Sequence, residues 1–165
     1  MDNERQILRV RGFEKINLEE YIKHDTDLAY EDLVLPKRGT AKSAGYDIVS
    51  TKTFTLAPNE IIIVPTGIKS YMQSDEYLGI QVRSGVGFKY QVCLVNTEGI
   101  IDADYYNNED NEGHIMLKLI NRGKKDWEVK AGDRIVQAIF RKYLLVDEDD
   151  FIGETRIGGI HSTGK

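Results

Sequence analysis

The sequence is poor in cysteine and has no long apolar run. Its single cysteine, Cys93, excludes an internal disulfide and cannot form a structural zinc site by itself. No segment approaches the roughly 18 consecutive apolar residues of a membrane span, so we expect no association with a membrane. No apolar segment of the kind found in secretory signals follows Met1 to Arg5. We therefore expect a cytoplasmic protein.

An excess of positive charge is also missing. The chain has 22 lysines and arginines against 27 aspartates and glutamates, which gives a net charge of −5. Nonspecific binding to nucleic acid requires a basic stripe that displaces the counterions of the phosphates. No such stripe is visible, and acidic runs such as residues 147–150 point away from DNA. We expect no nucleic-acid partner.

The pattern of apolar and turn residues predicts an all-β protein. Residues 60–65 are rich in β-branched side chains and end at Pro65, which is typical of a short strand. Glycine, asparagine and aspartate, which favour turns, separate this segment from further predicted strands at 77–82, 90–95, 114–120 and 134–143. Many short strands separated by turns favour a sandwich, a barrel or a jelly roll.

The length of 165 residues fits a single domain, residues 1–165, with one sizeable core. Residues 1–34 differ in pattern from the rest and are predicted to form an N-terminal extension. Within it, Asn17 precedes a short apolar-periodic run, which predicts a short helix that begins after a capping side chain.

Three glycine-rich polar segments carry groups that suit phosphate chemistry. Arg83, Ser84 and Gly85 follow a predicted strand, and an arginine, a hydroxyl and free backbone N–H groups suit an anion. Taken alone, this segment is equally typical of an ordinary β-turn beside a surface arginine.

The second segment contains Asp102 and Asp104. Two aspartates at positions i and i+2 of a strand would lie on the same face, where a carboxylate could polarise a water or bind a cation. The alternative is a hairpin whose aspartates only interact with solvent. The third segment, residues 156–165, is a glycine-rich tail with hydroxyls and cations, which could fold over a phosphate ligand or be a frayed end.

The order of these segments is more specific than any one of them. Together with two further motifs, their succession resembles the five ordered motifs of the trimeric dUTP diphosphatases. The resemblance covers about residues 36–164, and its segments are 36–47, 83–85, 96–105, 132–137 and the tail. The segment 106–115 is longer than in many members and resembles the branch from Gram-positive bacteria and their phages.

The resemblance implies a jelly-roll-like β-barrel that assembles as a homotrimer with active sites between subunits. It also implies an activity, the Mg²⁺-dependent hydrolysis of dUTP to dUMP and pyrophosphate by attack of water on the α-phosphorus. This reaction keeps uracil out of DNA and supplies dUMP for thymidylate synthesis.

The resemblance further implies roles for residues of the 96–105 hairpin. The Asn96 side chain and backbone groups of the hairpin, including those of Gly99 and Ile101, would read the edge of uracil and reject cytosine. Tyr105 would pack under the deoxyribose, where a ribose 2′-hydroxyl could not fit. Asp102 would be the general base that deprotonates the attacking water, and Asp104 would be structural.

The triphosphate would be held by residues from other motifs. Charge-assisted and backbone donors suit this role, and the residues implied are Arg83, Ser84, Gly85 and Gln137. Mg²⁺ would bind phosphate oxygens and water, with Asp47 near that shell as an indirect ligand.

The tail, residues 154–165, is implied to be a mobile lid. Arg156 would close on the γ-phosphate, and Ser162 and Thr163 would offer further donors. The family tail usually carries phenylalanine followed by glycine, where this chain has Ile160 and His161. Two hypotheses stay open, a lid in which the imidazole covers the base and a lid with apolar cover alone.

Other hypotheses are less well supported by the motifs. A dCTP deaminase of the same fold would need a catalytic glutamate in the pyrimidine pocket, for which Glu98 is the visible candidate. A nucleotide-sensing regulatory protein is the non-catalytic alternative, and residues 106–112 are a candidate surface for a protein partner. His24 and His114 show no ligand spacing with each other or with Cys93, so no metal is assigned to them.

Overall fold

The computed structural model describes residues 8–151 and 153. This part of the chain is built mainly from short strands, with two short α-helices, α1 (Leu18–Tyr21) and α2 (Ser84–Tyr90). The strands are β1 (Gly12–Lys15), β2 (Lys37–Arg38), β3 (Tyr46–Val49), β4 (Phe54–Leu56), β5 (Ile61–Pro65), β6 (Ile68–Tyr71), β7 (Glu76–Val82), β8 (Val92–Leu94), β9 (Gly99–Asp102), β10 (Met116–Asn121), β11 (Trp127–Val129) and β12 (Arg134–Lys142).

The strands alternate between a buried and a more exposed face, as the sequence pattern predicts. In β10, Leu117 and Leu119 are fully buried, whereas Lys118 between them is exposed. Successive side chains of a strand point to opposite faces, so this alternation places one face of the sheet on a core. The predicted strands at 60–65, 77–82, 114–120 and 134–143 are confirmed to within one or two residues at each end.

The strands form antiparallel sheets that close around one apolar core. A five-stranded sheet has the order β2-β3-β12-β7-β9, and a three-stranded sheet has the order β5-β10-β8. The pairs β1–β6 and β4–β11 complete the arrangement. Leu78 and Ile80 of β7 pack in the same cluster as Leu117 and Leu119 of β10, so the two larger sheets face each other. The predicted jelly-roll-like β fold is confirmed.

Helix α2 was not predicted. The sequence indicated a turn at residues 83–87 and a strand from Tyr90, but Tyr90 is the last residue of α2 and β8 begins at Val92. The sequence gives no helix signal here, because Gly85 and Gly87 are poor helix formers and leave no apolar periodicity. Val86 supplies the buried contact that holds this short helix on the core.

The N-terminal segment is part of the folded body. The predicted short helix is present as α1, and the Asn17 side chain accepts a hydrogen bond from the Glu20 N–H at 2.8 Å, as an N-cap does. β1 pairs with β6, so this part of the predicted extension joins a sheet. None of the helices in the described residues is long and apolar enough to cross a membrane.

Candidate active site

A cavity of about 610 Å³ opens beside the tight turn that joins β8 to β9. We call this turn the β8–β9 hairpin, although β8 pairs with β10 and β9 pairs with β7. The turn between these strands is closed by the Thr97 N–H, which donates to the Leu94 carbonyl at 2.9 Å, and Thr97 adopts a left-handed backbone conformation with φ of 66°. Pairing of β9 with β7 holds the other side of the hairpin. The cavity is lined by five of the predicted site residues, Asn96, Gly99, Ile101, Asp102 and Tyr105.

Asp102 lies at the last position of β9, opposite Tyr77 of β7, and its side chain is exposed. The prediction that Asp102 and Asp104 share one face of a strand is wrong. Residues Ala103–Tyr105 form a 3-10 helix, which ends the alternation of the strand after Asp102. The two carboxylates therefore belong to different elements.

Tyr105 is a buried wall of the cavity, with only 6% of its surface exposed. Its hydroxyl donates to the His114 carbonyl at 2.8 Å and accepts from the Asn111 side-chain amide at 2.8 Å. A buried phenol needs such partners, because an unsatisfied hydroxyl would cost free energy. The ring is held from its polar end by residues that follow it in the chain.

A second group of predicted residues meets at the start of α2. The Asp47 carboxylate of β3 forms ion pairs with two arginines. Arg83 Nε lies 3.1 Å from its Oδ1, and Arg134 Nη1 lies 3.3 Å from its Oδ2. Gln137 of β12 lies directly opposite Asp47 in the antiparallel register. A Cβ atom on Gly45 would lie 2.5 Å from Gln137 Oε1, so a larger residue at this position would displace the Gln137 side chain. We call Asp47, Arg83, Arg134 and Gln137 the arginine cluster.

The arginine cluster suits an anion. Ser84 and Gly85 follow Arg83 and are exposed at the start of α2. Guanidinium groups held by a carboxylate keep their remaining N–H donors directed outward, and such donors bind phosphate oxygens with geometric specificity. Arg134 was missed, because only the register between β3 and β12 brings it to Asp47.

One chain places Asp102 and Arg83 far from each other. Asp102 pairs with Tyr77 near the start of β7, whereas Arg83 follows the end of that strand. Six residues of strand, at about 3.3 Å each, separate the two positions by roughly 20 Å. None of the residues of the arginine cluster lines the cavity. The predicted tail residues Arg156, Ile160, His161, Ser162 and Thr163 lie outside the described residues.

Glu98 does not point into the cavity. Its Oε1 lies over Gly79 of β7, 3.0 Å from Nη1 of Arg141. The contact is an ion pair that lacks the alignment of a hydrogen bond. A deaminase would need this glutamate beside the pyrimidine, whereas here its carboxylate pairs with Arg141 and the residue does not line the cavity.

The sequence spacing gave no reason to group His24 and His114, but the structure brings them together. With Glu20 of α1 they form a compact cluster in which His24 Nε2 lies 3.0 Å from Glu20 Oε1 and 3.3 Å from His114 Nδ1. Such a cluster has the side chains of a metal site. However, the Gly67 N–H donates to His114 Nε2 at 2.8 Å, so the proton of the neutral ring must be on Nδ1. Nδ1 is then a donor to the cluster and has no lone pair for a metal.

Burial keeps His114 neutral and gives the cluster a pH dependence. The side chain is fully buried, and burial together with the nearby His24 lowers the pKa of His114 from 6.5 to about 4, against the opposing effect of Glu20. The unfolded chain therefore binds more protons than the folded chain between these pH values. It follows that the contribution of His114 to the free energy of unfolding is fully present above pH 6.5 and decreases as the pH falls towards 4.

We expect His114→Gln to flatten this pH dependence. The glutamine oxygen can accept the Gly67 N–H but does not titrate. Between pH 7 and pH 5 the parent should lose about 2 kcal/mol of unfolding free energy more than the variant does. Urea unfolding at both pH values and at one protein concentration measures this difference. An equal loss in both proteins would show that His114 does not titrate with a lowered pKa.

Known proteins are similar to this chain in sequence and in fold. A sequence model of the dUTPase family matches residues 31–161. The deoxyuridine 5'-triphosphate nucleotidohydrolase of Lactococcus lactis is 40% identical over 158 residues, 95% of this chain and 99% of that protein. The Mus musculus protein of the same name is 37% identical over 139 residues, 82% of this chain and 81% of that protein.

Solved structures agree with these sequence relatives. The dUTPase of Streptococcus mutans superposes with a TM-score of 0.67 at 42% identity, covering 82% of this chain and 98% of that one. The dUTPase of Staphylococcus bacteriophage 80alpha, at 17% identity, shares the fold with a TM-score of 0.65 over 88% of this chain and 98% of that one. The resemblance inferred from the five motifs is confirmed, and the chain belongs to the dUTPase family.

Proposed function

We propose that the cavity beside the β8–β9 hairpin is the deoxyuridine site of this dUTPase and that Asp102 is its general base. The enzyme hydrolyses dUTP to dUMP and pyrophosphate, which keeps uracil out of DNA and supplies dUMP for thymidylate synthesis. The observation that carries the assignment is that Asn96, Asp102 and Tyr105, which the resemblance assigned to the substrate site, line one cavity. Its volume of about 610 Å³ lies in the range of small-molecule sites.

The hairpin explains how the base would be selected. Asn96, Gly99 and Ile101 line the cavity, and the Asn96 side chain and backbone groups of the other two would bind the base. Donors and acceptors fixed in this way match the edge of uracil and leave unpaired polar groups against cytosine. Asp102 at the rim would take the proton of the water that attacks the α-phosphorus. A P–O bond forms between the water oxygen and the α-phosphorus, and the P–O bond to the pyrophosphate leaving group breaks.

The arginine cluster is the proposed triphosphate site. Arg83, Ser84, Gly85 and Gln137 would donate to phosphate oxygens and stabilise the charge that develops there. Both oxygens of Asp47 form ion pairs with arginines, so the proposed role of this carboxylate is to orient these donors near the ion. The residues therefore fit a Mg²⁺ ion that is held by phosphate oxygens and water. When bound, Mg²⁺ would neutralise part of the charge of the triphosphate.

The separation of the two groups supports an assembly with shared sites. Asp102 and Arg83 lie at opposite ends of β7, roughly 20 Å apart along the strand, so the proposed general base and this phosphate donor are far apart on the same chain. A homotrimer in which the cavity of one subunit faces the arginine cluster of the next would solve this problem. Cytoplasmic residence is proposed on the same grounds as in the sequence analysis and needs a separate test.

The experiment that tests the function is a pyrophosphate-release assay on a panel of nucleoside triphosphates, with and without Mg²⁺. Release from dUTP alone, dependent on the ion, is the expected result. Ammonia release from dCTP would support the deaminase, which the position of Glu98 disfavours. Binding without turnover would support a nucleotide sensor.

The tail is proposed to be a lid that covers the bound nucleotide. The sequence supports this through Arg156, Ser162 and Thr163, whose donors suit phosphate oxygens. We expect truncation after Gly153 to lower kcat/KM for dUTP strongly, by about 100-fold, since one arginine donor to a developing charge contributes on this scale. Circular dichroism and light scattering should show the fold and assembly unchanged. A truncated enzyme with the parent kcat/KM would remove the lid from the proposal.

Two substitutions separate the two hypotheses for the lid. If the imidazole covers uracil, His161→Ala should weaken dUTP binding by roughly tenfold at most, as expected for a modest stacking contact. If the cover is apolar, His161→Ala should have little effect and Ile160→Ala should weaken binding instead.

A further inference from the structure

The segment of residues 106–113, which we call the 106–113 loop, is closed on itself by backbone hydrogen bonds. The Asn107 N–H donates to the Glu112 carbonyl, and the Glu112 N–H donates to the Asn108 carbonyl, both at 3.0 Å. Asn108 is buried, and its Oδ1 accepts from the N–H groups of Asp110 and Asn111 at 3.0 and 3.1 Å. The loop therefore has a defined conformation of its own.

The inner side of the loop grips Tyr105. The Asn111 Nδ2 donates to the Tyr105 hydroxyl, and the Asn108 Nδ2 donates to the Tyr105 carbonyl, each at 2.8 Å. Gly113 has a φ of 84°, and a Cβ atom on it would lie 2.7 Å from the Tyr105 carbonyl oxygen. This close approach brings the loop back so that the His114 carbonyl accepts from the same hydroxyl. Both ends of Tyr105 are thus held by one loop.

The outer side of the loop is anchored to β6 and to the N-cap residue of α1. Lys69 of β6, which is 7% exposed, donates to Asn107 Oδ1 at 2.7 Å and to Glu112 Oε1 at 2.6 Å. The Asn17 N–H also donates to the Glu112 carboxylate, at 3.0 and 3.2 Å to its two oxygens. Hydrogen bonds donated by the charged ammonium group of a buried lysine are stronger than hydrogen bonds between neutral groups that are exposed to water. The loop therefore rests on a rigid support.

We propose that the 106–113 loop sets the position of the Tyr105 ring and that Asn111 is a positioning residue for recognition of the sugar. The inference rests on the proposed function, in which the cavity holds deoxyuridine against Tyr105. Selection against a 2′-hydroxyl by packing depends on shifts of less than an ångström in the wall. A hydroxyl with one fixed donor and one fixed acceptor prevents the ring from making such shifts.

Asn111→Asp is the sharpest test of this role. The carboxylate keeps an oxygen that accepts the Gly113 N–H and the Asn108 Nδ2, which the parent Oδ1 does at 3.1 and 2.8 Å. It replaces the donor to Tyr105 with a second carboxylate oxygen, which can only accept, so the hydroxyl is no longer fixed by one donor and one acceptor. We expect the ratio of kcat/KM for dUTP to that for UTP to fall by about fivefold or more, because discrimination is lost rather than binding in general.

A second variant and a control complete the experiment. Tyr105→Phe removes the hydroxyl from the other side of the same contact, so the two substitutions together should lower the ratio no further than either alone. Glu109→Gln, an exposed change in the same loop, should leave the ratio unchanged. Thermal unfolding and light scattering of each variant report whether the fold and assembly persist.

The outcomes separate a positioning role from a structural one. A ratio equal to that of the parent in Asn111→Asp, or equal falls of kcat/KM for dUTP and UTP, would overturn the proposal. If Asn111→Asp does not fold, an unchanged ratio in Tyr105→Phe has the same consequence. If the parent releases no pyrophosphate from dUTP, the proposed function fails independently. Calorimetric binding of dUMP and UMP to the same variants then decides the role of Asn111.

Discussion

Asp102→Asn is expected to lower kcat for dUTP by about 100-fold or more, since a positioned general base contributes on this scale. The substitution keeps the size of the side chain but cannot accept the proton of the attacking water. Asp102 is exposed at the end of β9, so the loss should not come from the core. Single-turnover hydrolysis at saturating dUTP measures the effect, and binding of dUMP should persist because the hairpin backbone is unchanged.

Asp104→Asn is the matched control for this experiment. Asp104 is two residues away and also exposed, but it lies in the 3-10 helix and does not line the cavity. Its substitution should leave kcat within about threefold of the parent, as is usual for a surface change away from the chemistry. If Asp102→Asn turns over dUTP as fast as Asp104→Asn does, another group is the base.

Two inactive variants should restore activity when their subunits are mixed. Asp102→Asn impairs the cavity of a chain, and Arg83→Ala impairs its arginine cluster, and these groups lie roughly 20 Å apart on one chain. If each site combines the cavity of one subunit with the arginine cluster of its neighbour, random mixing leaves about a quarter of the sites intact. Refolding the two variants together in equal amounts, followed by the pyrophosphate assay, measures the recovery.

The control is the double variant, Asp102→Asn with Arg83→Ala on the same chain, refolded with either single variant. No site in those mixtures contains both groups, so no activity should return. Light scattering should give about three times the chain mass of 18.8 kDa for every mixture. A trimer of that mass without recovery would show that the cavity and the arginine cluster act on the same chain, and the shared-site arrangement would have to be abandoned.

The β fold and the hairpin residues could be predicted because their signals are local. β-branched segments bounded by turn residues indicate short strands wherever they occur, and β5, β7, β10 and β12 were predicted on that basis. The motif spacing placed Asn96, Asp102 and Tyr105 within ten residues of each other, and a single hairpin brings them to one cavity. These features could be predicted because the residues that form them lie close together in the chain.

Helix α2 and the end of β9 could not be predicted, because their local signals compete. Glycine-rich residues 83–87 are typical of a turn, and only packing of Val86 on the core makes the helix favourable. The aspartates at 102 and 104 have the spacing of a strand. The chain turns into a 3-10 helix between them, because the next segment must fold back along Tyr105.

The sequence by itself determined the class of fold, the family and the chemical types of the site residues, since these follow from periodicity and from ordered local motifs. Only the tertiary structure decided which residues meet. The register of β3 on β12 brings Arg134 to Asp47, and the packing of α1 brings His24 and Glu20 to His114 across some 90 residues. Such contacts depend on pairing between distant segments, whose geometry no local pattern encodes. The same long-range pairing places Asp102 and Arg83 at opposite ends of β7, which is the physical reason for proposing that a neighbouring subunit completes the site.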